Sequence, residues 1–310
     1  MAFLTPASVI IGVILSSFLH QFSFLVPWIF AGMTFAGSLT SNFKSMKHTI
    51  THPFPLLLTL AVLHIVTPVW AFTIGHLFFQ NDPFTITGLV LSMVIPTGIT
   101  SVIWVSMYKG NVPFTLAIIL LDTLFSPFIV PISMSLFIGK TVHLEIWEMM
   151  KGLLGMIVLP SLVAMLVNQF YSKSVAEKWN KTLAPFSKLG LAVVVSINSS
   201  VIAPYIRHID EKFIQIALTI FFIAICGYFF AWILGILTKR SRDEVVGMIY
   251  TGGMRNISAG AVLAISFFPH PAAVPVVIGM LFQHILAAFY GQLIKLVYFR
   301  PSLSSSSKNL

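Results

Sequence analysis

Apolar runs close to twenty residues long recur along nearly the whole chain, and short polar segments separate them. Of the 310 residues, 57% are hydrophobic and 9% are charged, whereas about 25% are charged in a typical soluble domain. A helix of about 20 apolar residues crosses the roughly 30 Å of hydrocarbon in a bilayer. Backbone groups in lipid must satisfy one another, so such runs fold as helices. The pattern therefore predicts an all-α membrane protein.

Ten runs have the length and hydropathy of transmembrane helices. The segment from Met1 to Leu19 lacks the basic start and the small-residue cleavage site of a signal peptide, so we interpret it as a retained span. Turn-forming residues such as Asn81-Asp82-Pro83 and Gly110-Asn111 separate the runs. The predicted spans are 4–19, 24–41, 55–78, 86–107, 113–137, 147–170, 185–206, 213–238, 244–268 and 273–299.

Basic residues are distributed unequally between the two sides that these spans define. With the N-terminus in the cytoplasm, 13 lysines and arginines fall on the cytoplasmic side and 4 on the other, and Arg255 lies within a span. Cytoplasmic loops carry the excess of lysine and arginine in membrane proteins. We therefore expect a multi-pass protein of the cell membrane with both termini in the cytoplasm. The net charge of +9 then requires no nucleic-acid partner.

A polar stretch from residue 171 to 188 lies near the middle of the chain. We interpret it as a cytoplasmic connecting loop between two five-helix repeats, 1–170 and 189–300, with a disordered serine-rich tail at 301–310. Because five is odd, the second repeat enters the membrane from the opposite side. The prediction is an inverted repeat, which is common among secondary transporters.

Two of the apolar runs are interrupted, in the fourth and the ninth predicted spans. Pro96-Thr97-Gly98 interrupts the first, and Gly252-Gly253, followed by Arg255 and Asn256, interrupts the second. A broken helix exposes backbone groups that hydrocarbon cannot satisfy, so it persists only beside a polar cavity. Paired breaks in two halves indicate the binding site of a secondary transporter.

Polar side chains cluster around both breaks. Helix N-termini beside a break direct the positive ends of their dipoles toward it, which favours a carboxylate or a sulfate. We therefore expect a small organic anion as the substrate. The residues predicted to bind it are Thr97, Gly98, Thr100, Ser101, Thr251, Arg255 and Asn256.

Arg255 is the most costly residue in this set, because an arginine at mid-bilayer opposes insertion by about 2.5–3.5 kcal/mol. It either anchors the anion, replaces a mobile cation, or forms a buried ion pair with Asp122 in the fifth span. Asp122 is either that structural partner or a protonatable carboxylate that couples transport to a proton gradient. Thr115 and His64 are further candidates for the coupling site, although a lone histidine in a helix bundle is more often a packing residue.

Catalysis is not indicated. A membrane enzyme needs a nucleophile with a base, or clustered acids for a metal, and Asp122 is the only acidic residue deep within a predicted span. Cys226 is the only cysteine, which excludes a disulfide framework and a cysteine-rich metal site. We expect a transporter without a cofactor. A membrane sensor that binds its ligand without flux is the alternative from another class.

The segments around both breaks resemble the bile acid:sodium symporter family, whose members carry organic anions such as bile acids and pantoate. The resemblance implies ten helices, with a core domain of spans 3–5 and 8–10 and a panel of spans 1, 2, 6 and 7. It also implies that the two broken helices cross between them. The similar segments are Phe30–Leu39 with Phe43, Pro96–Ser101, Gly110-Asn111, Ser126-Pro127, and Gly253-Met254 with Asn256.

Several residues that bind two sodium ions in that family are replaced in this chain. Sodium requires several hard oxygen ligands, and a guanidinium beside a site repels the ion. We therefore expect degraded sodium sites and a carrier that is independent of sodium or coupled to protons; a sodium symporter with rearranged ligands is the alternative. Ser101 is kept, and the replacements are Val102 for asparagine, Thr115 for serine, Ile119 for threonine, Thr251 for glutamate, Arg255 for glutamine, and Leu63 at about the position of a glutamine.

Overall fold

A computed structural model of the protein describes residues 4–39, 53–139, 145–171, 173–206 and 209–298. The predicted disordered tail, 301–310, and the basic segment with Lys44 and Lys47 lie outside these ranges. The described residues form twelve helices: α1 (Leu4–Ile14), α2 (Ser16–Ser38), α3 (Pro53–Phe78), α4 (Pro83–Val94), α5 (Ser101–Met107), α6 (Val112–Ile138), α7 (Ile146–Phe170), α8 (Lys173–Ile206), α9 (Glu211–Leu237), α10 (Arg242–Gly253), α11 (Ile257–Phe267) and α12 (Ala273–Tyr298).

Seven helical segments in the described ranges are long and apolar enough to cross a membrane, which confirms the predicted all-α membrane protein. They are α2, α3, α6, α7, Thr182–Tyr205 of α8, α9, and His270–Tyr298, which includes α12. Helices α1, α4 and α11 are apolar but shorter. The predicted span 4–19 is not one continuous helix, because the backbone leaves α-helical geometry at Leu15 (φ −91°, ψ 23°) between α1 and α2.

The predicted connecting loop at 171–188 is wrong for most of its length, because α8 begins at Lys173 and continues through it to Ile206. The segment is polar but contains many residues with high helix propensity. The polar stretch is therefore the N-terminal part of a long helix. Six predicted spans, rather than five, precede residue 171, so a repeat boundary there does not divide the ten predicted spans equally.

Short-range capping signals set the beginnings of several helices. The side chain of Asn111 accepts a hydrogen bond from the backbone of α6, and that of Asp210 does the same for α9. Ser241 and Glu244 form a capping box at the start of α10. Each cap satisfies backbone N–H groups that have no partner within the helix. These starts follow from local sequence.

Asp82 caps α4 and also joins it to α9. Its carboxylate accepts from the backbone of Thr85 at 3.1 Å and pairs with Lys212 at 2.8 Å. Burial alone would raise the pKa of Asp82, but the bonds from Lys212 and Thr85 outweigh it and hold the pKa below its ordinary value of 3.8. The carboxylate is therefore ionised at neutral pH, and the ion pair ties together the first turns of two helices.

The helices pack into two groups. Helices α1, α2, α7 and α8 form a four-helix group, in which α8 lies against α1 and α2, and α2 lies against α7. The remaining helices form the crossing group, in which α4 packs on α3, α6 and α12, and α10 packs on α6 and α9. The breaks between α4 and α5 and between α10 and α11 both lie in the crossing group.

Helix α3 contains a π-helical segment, Val62–Val66, in its middle. A π-segment disturbs the regular ladder of helix hydrogen bonds and is frequently found at functional sites. Here the Thr67 hydroxyl donates to the carbonyl of Val62 at 2.9 Å, directly after the π-turn. His64 lies within the segment. The distortion therefore positions two polar side chains, His64 and Thr67, at mid-helix.

Candidate functional site

The two broken segments bond to each other. Thr97 and Arg255 form an antiparallel bridge. The amide of Gly98 donates to the carbonyl of Met254 at 3.3 Å, and the amide of Asn256 donates to that of Pro96 at 2.8 Å. Backbone groups that leave helical geometry inside a membrane protein require such partners. Each break thus supplies the hydrogen bonds that the other has lost.

Side chains at the crossing reinforce this contact. The Thr97 hydroxyl lies 2.8 Å from the carbonyl of Thr251 and 2.9 Å from that of Met254. Carbonyl groups at the end of a helix have no partner within it, so this hydroxyl supplies a donor at the C-terminal end of α10. A Cβ atom on Gly98 would lie 2.9 Å from the carbonyl oxygen of Arg255. Glycine therefore allows the two backbones to approach this closely.

A cavity of about 440 Å³ lies between the crossing and the four-helix group. Five of the seven predicted substrate-binding residues line it, namely Thr97, Gly98, Thr100, Arg255 and Asn256. The rest of the lining combines apolar residues with ten polar ones. The polar residues from elsewhere in the chain include Ser161, Ser187, Lys188, Ser258, Gln283 and His284.

The remaining predicted hydroxyls lie outside the lining of this cavity. Thr251 donates to the carbonyl of Gly247 at 2.7 Å, and Thr115 donates to that of Asn111 at 2.9 Å. Both bonds return to the preceding turn of the chain, as hydroxyls in membrane helices commonly do. Ser101 is fully buried, and its hydroxyl has no hydrogen-bond partner among the described residues.

The Arg255 side chain is 2% exposed and extends to α3, where its Nη2 donates to the Thr67 hydroxyl at 2.6 Å. Its backbone amide donates to the side chain of Gln283 at 2.9 Å. No residue of α3 lines the cavity. The guanidinium therefore lies within the crossing group, and the atoms Nε and Nη1 have no hydrogen-bond partner among the described residues.

Asp122 does not form the direct ion pair with Arg255 that was one of the expectations, because no contact within 4 Å joins the two charged groups in the described structure. The fully buried carboxylate instead lies 2.7 Å from His64 Nε2 through Oδ1, and its Oδ2 accepts from the Thr97 amide at 2.7 Å. Arg255 still interacts with Asp122 electrostatically at longer range. The crossing thus contains a guanidinium, a carboxylate and an imidazole in one buried network.

Three residues of the site were not predicted from the sequence, namely Thr67, Gln283 and Lys188. Thr67 and Gln283 hydrogen-bond to Arg255, and Lys188 is the lysine that lines the cavity. Gln283 and His284 are two adjacent polar residues in the middle of an apolar run, so the sequence itself marks this position. Thr67 carries no comparable signal, because hydroxyls are common in membrane helices.

The chain is similar to several known proteins. It is 56% identical over 306 residues to the uncharacterized protein YbaS of Bacillus subtilis, covering 99% of this chain and all of that one. It is 24% identical over 314 residues to the uncharacterized sodium-dependent transporter YocS of the same organism, covering 97% of this chain and 94% of that one. It is 26% identical over 243 residues to the probable sodium/metabolite cotransporter BASS1, chloroplastic, of Oryza sativa subsp. japonica, covering 76% of this chain and 57% of that protein.

The sequence profile of the sodium bile acid symporter family matches residues 26–209. This range is more than half of the chain and includes the first break and Asp122. The chain therefore belongs to the sodium bile acid symporter family, a family of membrane transporters, as its resemblance to that family predicted.

Proposed function

We propose that this protein is a secondary transporter of a small organic anion and that sodium does not drive the transport. The observation that carries the proposal is the Arg255 guanidinium, which is buried in the crossing and bonded to Thr67. Two unit charges about 4 Å apart repel each other by about 4 kcal/mol in a partly polar protein interior. A fixed cation at the crossing therefore opposes the binding of a mobile one.

Three positions at which the resemblance implies sodium ligands also carry side chains without oxygen atoms. Val102, Ile119 and Leu63 stand at positions where the resemblance places amide or hydroxyl ligands. Thr251, at the position of a glutamate, directs its hydroxyl to the carbonyl of Gly247. YocS is named a sodium-dependent transporter and BASS1 a sodium/metabolite cotransporter, which favours the second candidate, a sodium symporter in which other oxygen atoms bind the ion.

The cavity supports an organic anion as the substrate. Its volume of about 440 Å³ is within the range of small-molecule sites, which combine apolar walls with a few polar groups. Lys188 supplies a positive charge, and His284 and Ser258 supply further polar atoms. Asn256 caps α11 at the cavity, so the positive end of that helix also lies there. A carboxylate or sulfate with an apolar body fits this lining.

Ten membrane spans are proposed, in which α4 with α5 and α10 with α11 each form one broken span. The repeats then meet between Ile138 and Ile146, because this boundary makes the broken span the fourth of each half. The four-helix group corresponds to the panel and the crossing group to the core. Alternating access follows if one group rocks against the other around the crossing.

Uptake into proteoliposomes tests the proposal, with radiolabelled taurocholate and pantoate as probes. We expect protein-dependent uptake without sodium, and less than a twofold change when an inward sodium gradient is imposed. Lys188→Gln should lower uptake because it removes the positive charge from the cavity. Lys178→Gln is the matched control, since Lys178 is an exposed residue of the same helix outside the cavity lining.

Three outcomes would contradict the proposal. A tenfold stimulation by sodium would establish the sodium-coupled alternative. Binding of a probe without flux would establish the sensor. Absence of binding and uptake for both probes would exclude the substrate class named here.

A further inference from the structure

We propose that His64 and Asp122 form a proton-binding site that couples anion transport to the proton gradient. This inference rests on the proposed function and adds the identity and location of the coupling ion. It explains why a carboxylate and an imidazole lie together inside a membrane protein. Buried ionisable residues in transmembrane helices are rare and commonly mark proton relays.

The geometry of the pair is that of a short hydrogen bond in an enclosed site. His64 Nε2 and Asp122 Oδ1 are 2.7 Å apart, with the two side chains 11% and 0% exposed. With a proton on Nε2, the imidazole donates to the carboxylate. The second ring nitrogen, Nδ1, is buried and has no hydrogen-bond partner among the described residues. It is therefore the free acceptor to which one more proton can bind.

Binding of that proton changes the charge of the crossing by one unit. Before it binds, the neutral imidazole and the Asp122 carboxylate together carry one negative charge, which offsets that of Arg255. After it binds to Nδ1, the imidazolium neutralises the carboxylate and the positive charge of Arg255 is left over. No bond other than N–H forms, and no other group is required. The protonated crossing therefore attracts an anion more strongly.

The pair connects to the cavity through one residue. Asp122 Oδ2 accepts a hydrogen bond from the amide of Thr97, whose own atoms line the cavity and whose hydroxyl holds the end of α10. When His64 becomes an imidazolium, it draws the carboxylate charge toward Oδ1 and weakens the bond to Thr97. Protonation thus acts on the contact at which the two broken segments meet.

Other ionisable groups around the pair are few. Arg255 is the charged group that interacts with Asp122, and Tyr228 also interacts with Arg255. Helices packed against α3 and α6 carry their charged side chains in their first two turns. The titratable side chains on these helices are Glu148, Lys151, Glu211, Lys212, Cys226, Tyr228, Arg242, Asp243, Glu244 and Tyr250, with His76 on α3 itself.

Transport of taurocholate under a pH gradient tests the proposal, because its sulfonate remains ionised and does not cross the bilayer as a neutral acid. With one proton carried per monovalent anion and an exterior one pH unit more acidic, accumulation rises to about tenfold at equilibrium. We expect this accumulation to be lost in His64→Gln and in Asp122→Asn. His76→Gln is the matched control, since His76 is an exposed histidine of the same helix bonded to the Phe72 carbonyl.

Exchange of labelled for unlabelled taurocholate at equal pH separates this inference from the proposed function. Exchange that persists in wild type and in His64→Gln, together with the loss of proton-driven accumulation in the variant, supports the proton site. Absence of exchange in wild type contradicts the proposed function. Exchange in wild type without any response to the pH gradient, or with the full response retained in His64→Gln, overturns the proton site alone.

A second measurement requires no substrate and remains informative if Asp122→Asn fails to fold. In nitrogen-15 histidine-labelled protein in lipid bilayers, the His64 ring signals are those lost in His64→Gln and kept in His76→Gln. We expect them to change from those of a neutral imidazole to those of an imidazolium as the pH is lowered. Signals of His64 that stay constant throughout the pH series would contradict the proposal.

Discussion

A guanidinium in a membrane interior is tolerated only where other groups compensate its charge and its hydrogen-bonding atoms. At Arg255 the compensation is spread over a network, since Thr67 accepts one hydrogen bond and the Asp122 charge acts at longer range. A direct pair would fix both groups to each other. The indirect arrangement leaves Asp122 free to bond to His64 and Thr97, which is the basis of the proposed proton site.

Replacement of Arg255 by alanine should destabilise the protein strongly. The change leaves the buried Asp122 carboxylate without the cation that acts on it at longer range. The loss of about 3–5 kcal/mol when a direct buried pair is broken from one side is the upper limit of this cost. We expect a lower melting temperature in detergent and a loss of taurocholate uptake. Lys178→Ala removes an exposed cation and should change neither.

The double variant Arg255→Ala with Asp122→Asn tests the physical reason. If the loss arises from the uncompensated carboxylate, then the double variant should melt at a higher temperature than Arg255→Ala alone. Strictly additive losses would show that the two charges do not compensate each other. Unchanged uptake in Arg255→Ala would remove the residue from the mechanism.

At the scale of the elements, the two broken spans end for different local reasons. Pro96 cannot continue α4, since proline lacks the amide proton that a helix requires. Gly252 and Gly253 still belong to the last turn of α10, and the non-helical residues that follow are Met254 to Asn256. Glycines at this position allow close packing, because a Cβ atom on Gly253 would lie 2.2 Å from the ring of Tyr228 on α9.

The variant Gly253→Ala should therefore move α9 away from α10. Accommodation of an extra methyl group in a packed interior costs about 1–3 kcal/mol, and the Tyr228 ring is fully buried. We expect a lower melting temperature and slower uptake. Gly32→Ala is the matched control within a helix, because a Cβ atom there meets no atom within 4 Å. Equal stability of the two variants would contradict the packing explanation.

Helix starts were the elements most accessible from the sequence. Asn111 and Ser241 each bond to the backbone amide three residues further along the chain, so the signal is local. The segment 171–188 was mispredicted for the opposite reason. Polarity was interpreted as a loop, although a helix continues through it to Ile206. Composition reports whether a segment faces lipid or water, and it does not report whether the backbone is helical.

At the scale of the whole molecule, the orientation in the membrane is a prediction from the distribution of basic residues. It places the turn at Asn81 outside the cell and the basic turn at Lys239 in the cytoplasm. Both residues are exposed. In a Cys226→Ser background, Asn81→Cys should react with a membrane-impermeant maleimide on intact cells. Lys239→Cys should react only after the cells are permeabilised, and the reverse pattern would exclude the proposed orientation.

The all-α membrane class and the positions of the two breaks could be predicted without a structure. Apolar run length, prolines, glycines and caps act over a few residues, so no knowledge of the fold is needed to detect them. The same local signals identified five of the residues that line the cavity, because those five flank the breaks.

Which polar groups contact one another depends on how the helices pack. His64 and Asp122 are 58 residues apart in the chain, and Arg255 and Thr67 are 188 apart. The sequence left a direct pair of Arg255 with Asp122 open, since charge alone favours it. Helix packing places the guanidinium against α3 and the carboxylate beside an imidazole and a backbone amide. The partner of a buried charge depends on distances between helices, and these distances follow from the packing of the whole bundle.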